Sequence, residues 1–119
     1  MKKTRYVPPI AKRADASISG IHYTYFIQGQ ATRLIKIGRT CGPPIYRLRE
    51  MQTGSPDKLK ILVSIHADVE LACHRYFQDA RSHGEWFLPV PELLRYIEIL
   101  KEINLKKSGQ KKFLTPFAK

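Results

Sequence analysis

Apolar and polar positions change their period several times along the chain, and each change marks an element. From His22 to Gln28 the run His-Tyr-Thr-Tyr-Phe-Ile-Gln is dense in aromatic and β-branched side chains. A second such run, Arg33 to Arg39, follows after Gly29-Gln30-Ala31-Thr32, so the two predict a hairpin. Thr40-Cys41-Gly42-Pro43-Pro44 then breaks the chain, and prolines are tolerated at a first helical turn because the N–H groups they lack would be unpaired there. A helix is predicted over Pro44 to Gln52, with Ile45, Leu48 and Met51 on its buried side. Thr53-Gly54-Ser55-Pro56-Asp57 is a dense turn signal, after which Leu59 to His66 alternates as Leu59, Ile61, Val63 and Ile65, with Leu62 as an extra apolar position, in a strand with one buried face. Asp68 suits the N-cap of a helix from Val69 to about Arg81, whose apolar stripe is Val69, Ala72, Cys73, Tyr76 and Ala80. Glu70, His74, Phe77 and Arg81 would share the neighbouring face of that helix. His83-Gly84 ends it, Glu85 to Leu88 is a short aromatic segment, and Pro91 to about Asn104 is a last amphipathic helix carrying Leu93, Leu94, Ile97, Leu100 and Ile103. Strands and helices in this order make an α+β fold, a small sheet covered by helices.

A chain of 119 residues accommodates one core, here expected over 18–104, with a basic arm at 1–17 and a basic tail at 105–119. The formal charge is +11, and its placement matters more than its size. Lys2, Lys3, Arg5, Lys12 and Arg13 precede the first acid, and six lysines against Glu102 fill residues 101–119, which leaves the centre near neutral. Within the centre, Arg33, Lys36, Arg39, Arg47 and Arg49 occupy a stretch free of acids, so one edge of the core should be positive. Such a distribution suits a polyanion, because each phosphate contact releases counterions without sequence preference; basic tails that only aid solubility are the plainer alternative. No apolar run approaches the length of a spanning helix, and Pro8 and Pro9 interrupt the N-terminus, so a soluble cytoplasmic protein with no membrane partner is expected. Cys41 and Cys73 form no CxxC pair and have no His at zinc spacing; Cys73 reads as core filling.

Five segments in order resemble the GIY-YIG nuclease superfamily, closest to a phage-type branch: Tyr25-Phe26-Ile27; Lys36-Ile37-Gly38-Arg39-Thr40; Arg47-Leu48-Arg49 continuing through Gln52-Thr53-Gly54-Ser55-Pro56; Glu70 with His74 and Phe77; and Gly84-Glu85-Trp86-Phe87. The resemblance covers roughly 22–90. It implies a three-stranded antiparallel sheet flanked by helices, one divalent metal (Mg²⁺ or Mn²⁺), and single-step hydrolysis of a DNA phosphodiester. By residue matching it implies Tyr25 as the first-strand tyrosine, Arg47 as the helix arginine and Glu70 as the metal-binding glutamate. Lys36 stands where the family carries a second tyrosine.

These roles can be weighed on chemistry alone. One glutamate plus substrate phosphate is a workable Mg²⁺ site, and an arginine fork grips a phosphate with two parallel bonds. Tyr25 orients or deprotonates a water only where cations such as Lys36 or the metal favour its phenolate; Lys36 binds phosphate or protonates the leaving oxygen. Tyr23 faces the same side of its strand as Tyr25 and is a candidate partner for it. His74 would contact Glu70 or phosphate, and Arg33, Arg39 and Arg49 would hold the nucleic-acid backbone. The plainer alternatives stand beside these: packing tyrosines, an ordinary i, i+4 pair of Glu70 and His74, solvated arginines, Trp86 and Phe87 as core or lid, and Glu85 as a structural cap. His22, His66 and His83 have no evident partner. With no second domain or recognition helix, sequence-specific cutting would require the arms, a homodimer or a specificity-supplying partner protein. The rival to a nuclease is a catalytically inactive DNA- or RNA-binding module that retains the fold, with Lys36 as the sign of lost chemistry.

Overall fold

The computed structural model describes residues 22–112, with side chains as far as Lys106; the arm predicted over 1–17 and the end of the predicted tail fall outside them. The hairpin strands are β1 (Tyr23–Gly29) and β2 (Ile35–Thr40). Helix α1 (Pro44–Thr53), strand β3 (Leu59–Ile65) and helix α2 (Glu70–Tyr76) follow. Strands β4 (Arg81–His83) and β5 (Trp86–Phe87) and helix α3 (Pro91–Lys112) complete the chain. All pairings are antiparallel, in the order β3-β1-β2-β5-β4.

The α+β class holds, but the sheet has five strands where three were expected. The additional two are the segment around Gly84. β5 lies on the free edge of β2 through Ile35↔Phe87 and Lys36↔Trp86, and β4 folds back on β5. Strands of two and three residues are too short to show alternation, so only tertiary pairing reveals them.

Tertiary pairing also shortens α2. The predicted helix to Arg81 stops at Tyr76, a 3-10 turn covers Gln78–Ala80, and the Leu88 amide donates to the Ala80 carbonyl at 2.8 Å. Phe77 therefore enters the core and Arg81 an exposed strand, so the four-residue face reduces to Glu70 and His74. Asp68 does not cap α2; its carboxylate accepts from Arg39 at 2.9 Å. The helix is held instead by Thr24, whose buried hydroxyl donates to the Ala67 carbonyl at 2.7 Å and accepts from the Val69 amide at 3.0 Å. That bridge fixes where Glu70 begins the helix. α3 runs past the predicted end at Asn104 because no breaker stands there, and it buries Tyr96 while leaving Leu94 exposed.

The strict alternation predicted for β3 is broken as well. Phe26 pairs with Val63 but Ile27 with Ile61, a bulge at Leu62 that turns the first half of the strand over. Val63 and Ile65 consequently pack with Phe26, Ile35, Ile37 and Phe87 under α2 and α3. Leu59 and Ile61 pack with Tyr25, Ile27 and Trp86 under Leu48 and Met51 of α1. The sheet is thus sandwiched between α1 on one face and α2 with α3 on the other, and Ile45, expected to be buried, is 40% exposed.

Candidate active site

Five of the expected site residues, Tyr25, Lys36, Arg47, Glu70 and His74, lie along β2, on both sides of the point where β5 stops covering it. Lys36 and Gly38 point to the α1 face, as does Tyr25 across the strand pair. A Cβ at position 38 would lie 2.3 Å from the Tyr25 hydroxyl oxygen, so only glycine lets the phenol cross β2. Tyr25 is 1% exposed. Arg47 comes down from α1 towards the Tyr25 hydroxyl and hydrogen-bonds Glu50 at 2.6 Å; the interactions with both, Tyr25 first, hold its guanidinium above its ordinary pKa. Tyr23 does not join them. It stacks on His66, with ring centroids 4.7 Å apart, which gives that histidine a partner the sequence did not suggest.

On the open edge of β2, the second group assembles around Ile37. Its amide donates to the Glu85 carbonyl at 3.0 Å, and its carbonyl accepts from His74 Nε2 at 2.8 Å, so this histidine nitrogen carries a proton. The same nitrogen lies 3.8 Å from Glu70 Oε2, and the ring tilts against Phe87 at 5.0 Å. Gly84, at φ +55°, makes the turn that brings Glu85 back to β2. The Glu85 carboxylate takes the Lys36 ammonium at 2.9 Å, beside the Trp86 ring.

Glu85 also stands close enough to Glu70 for the two carboxyls to shift one another. Burial pushes the Glu70 carboxyl above the usual range, and the Glu85 charge adds to this, against the pull of His74 and Arg39. Burial acts on Glu85 too, but the hydrogen bond and charge of Lys36 outweigh it and carry that carboxyl below its usual range. Of the two carboxyls, Glu70 is the one whose protonated form the site favours. Two carboxyls set side by side, one of them disfavoured in its charged form, are a donor set a cation can satisfy. Among the described residues no group of three or more His, Cys, Asp and Glu could cage a metal. A hydrated Mg²⁺ takes only one or two carboxylates, so Glu70 and Glu85 fit it.

Glu85, read from sequence as a structural cap, is thus the residue that sequence reasoning missed. Its signal was the Gly-Glu step after α2, which returns a carboxylate to the sheet edge. Of the arginines expected to hold a nucleic-acid backbone, Arg39 stands within electrostatic reach of Glu70 and is paired to Asp68. Arg33, at φ 69°, sits in the hairpin turn with its guanidinium 3.4 Å from the Gln30 carbonyl, at the other end of β2. Arg49 lies on the outer side of α1, over the Tyr46 ring at 5.9 Å. Neither enters the cluster. Cys73 is core filling as read, with burial pushing its thiol up to about 12.

Among the described residues no helix is long and apolar enough to cross a membrane. A family model, the T5orf172 domain, matches residues 20–104, well over half of the chain. That domain is phage-associated and related to GIY-YIG-type nuclease folds. No curated protein and no solved structure matches.

Proposed function

The chain belongs to the T5orf172 domain family, and from that footing we propose that it is a GIY-YIG-type endonuclease that hydrolyses DNA phosphodiesters with Mg²⁺ or Mn²⁺. The observation that carries this reading is the placement of two unlike groups along one strand, β2, around the neighbouring residues Ile37 and Gly38. Tyr25 and Arg47 stand on the α1 side; Glu70, Glu85, Lys36 and His74 stand round the edge. The order of the KIGRT, RLR, QTGSP and GEWF segments supports it further.

Glu70, with Glu85 beside it, would hold the cation, which supplies positive charge against the phosphoryl oxygens and a more acidic water. Arg47 grips the scissile phosphate with its planar fork, exchanging Glu50 for the substrate. The Tyr25 hydroxyl, held by Arg47, orients the attacking water. Lys36 neutralises charge on the phosphate or the leaving oxygen, and Glu85 keeps its ammonium at the strand edge. His74 is a positioning residue: its bond to Ile37 holds the imidazole beside Glu70. The N- and C-terminal basic segments add affinity for the duplex backbone without sequence preference.

The test is nicking and linearisation of a supercoiled plasmid at low salt, with Mg²⁺, with Mn²⁺ and with chelator. Wild type should cut with either metal and not with chelator, while Glu70→Ala and Arg47→Ala should bind DNA and leave it intact. Wild-type protein that binds plasmid and branched DNA yet cuts neither with either metal would refute the enzyme and favour a binding module.

A further inference from the structure

The outer side of α1 presents chemistry that hydrolysis does not use. Tyr46 is 56% exposed and, among the described residues, is the only phenylalanine, tyrosine or tryptophan in the exposed class. Among the described residues it belongs to neither hydrophobic cluster; the Arg49 guanidinium stands 5.9 Å from its centroid, and Ile45 beside it is 40% exposed. Tyr46 also directly precedes Arg47, the residue that reaches the Tyr25 hydroxyl. A flat aromatic face, a planar cation and a phosphate grip therefore follow one another on a single helical turn.

We propose that Tyr46 and Arg49 form a stacking seat for an unpaired nucleobase of the DNA strand whose phosphate lies on Arg47, so that the substrate carries an unpaired segment next to the cut. This rests on the DNA-handling role given to Arg47 above. The selectivity follows from geometry. In a duplex each base is covered on both faces by its neighbours, whereas an unpaired base offers a free face to an aromatic ring, and a guanidinium adds a cation–π contact. Charge agrees with a nucleic-acid strand, since residues 33–49 contain five basic side chains and no acid.

The full chain, kept with chelator so that nothing is cut, is titrated with a labelled duplex and with the same duplex bearing a short flap that contains 2-aminopurine. Wild type should bind the flapped DNA more tightly and quench its 2-aminopurine. Tyr46→Ala should weaken flap binding about tenfold, abolish the quench and leave duplex affinity unchanged. Tyr46→Phe should behave as wild type, and Arg49→Lys, which keeps the charge but not the plane, should lose part of the preference. Equal weakening on both DNAs, no change on either, or no binding by wild type overturns the seat. Its fate is separable from that of the nuclease: a quench without plasmid cutting leaves the seat and removes the enzyme, and cutting without a quench does the reverse.

Discussion

One face of the sheet is sealed by α3, where Leu93, Tyr96, Ile97 and Leu100 are all 2% exposed or less, while the other is covered by α1, a helix with no fully buried residue. The first arrangement is a core and the second a thin cover. Under the cover lie the tyrosine hydroxyl of Tyr25 and the arginine that reaches it, groups of use only if a substrate can approach. The difference teaches that packing is concentrated under α3, whereas the proposed site draws Tyr25 and Arg47 from the α1 face and Glu70 and His74 from α2, with β2 contributing Ile35 and Ile37 to the packed face and Lys36 and Gly38 to the other.

The largest expected effect tests that division directly. Leu100→Ala should lower the free energy of unfolding by about 2–5 kcal/mol in urea, and Leu48→Ala on α1 by only about 1 kcal/mol. Equal losses would mean that α1 is as much core as α3. Next, Gly38→Ala must displace a buried phenol and should cost about 1–3 kcal/mol together with plasmid cleavage. Retained cleavage would separate Tyr25 from the chemistry.

A smaller effect concerns pH. Because the Glu70 carboxyl is raised in the folded state, chiefly by burial, the fold favours its protonated form; stability is lost as pH rises through the folded value and is fully present below the ordinary glutamate value of about 4.3. Glu70→Gln should therefore raise the thermal midpoint at neutral pH, a gain that vanishes in acid. A loss at neutral pH would mean that the carboxylate serves the fold. Smallest is Glu50→Gln, which frees Arg47 from an exposed pair and should tighten DNA binding by about twofold at low salt.

How much of this was legible in the chain depended on length and locality. The hairpin, α1 and the end of β3 could be read because each repeats its period over several residues. The bulge at Leu62 could not, since Leu59, Ile61, Val63 and Ile65 look like one face until the partner strand shifts register. β4 and β5 are too short for any period, and with them went the role of Glu85, whose neighbours Lys36 and Glu70 are distant in sequence. Tyr25, Lys36, Arg47, Glu70 and His74 were nameable through a resemblance; their division into a tyrosine–arginine pair and a carboxylate cluster needed the fold.

The way β5 meets β2 has a kinetic side. Two registered pairs, Ile35↔Phe87 and Lys36↔Trp86, attach it, and β4 beyond it is exposed throughout. Phe87 anchors β5 in the core, but the Gly84–Glu85 turn before it is held by few bonds, and such a turn opens locally more often than the whole molecule unfolds. Each opening carries off the carbonyl that accepts the Ile37 amide and, with it, the carboxylate that holds Lys36 and touches Glu70. Solvent exchange at that single amide therefore keeps time for the whole charge cluster, counting the moments when its two carboxyls are apart.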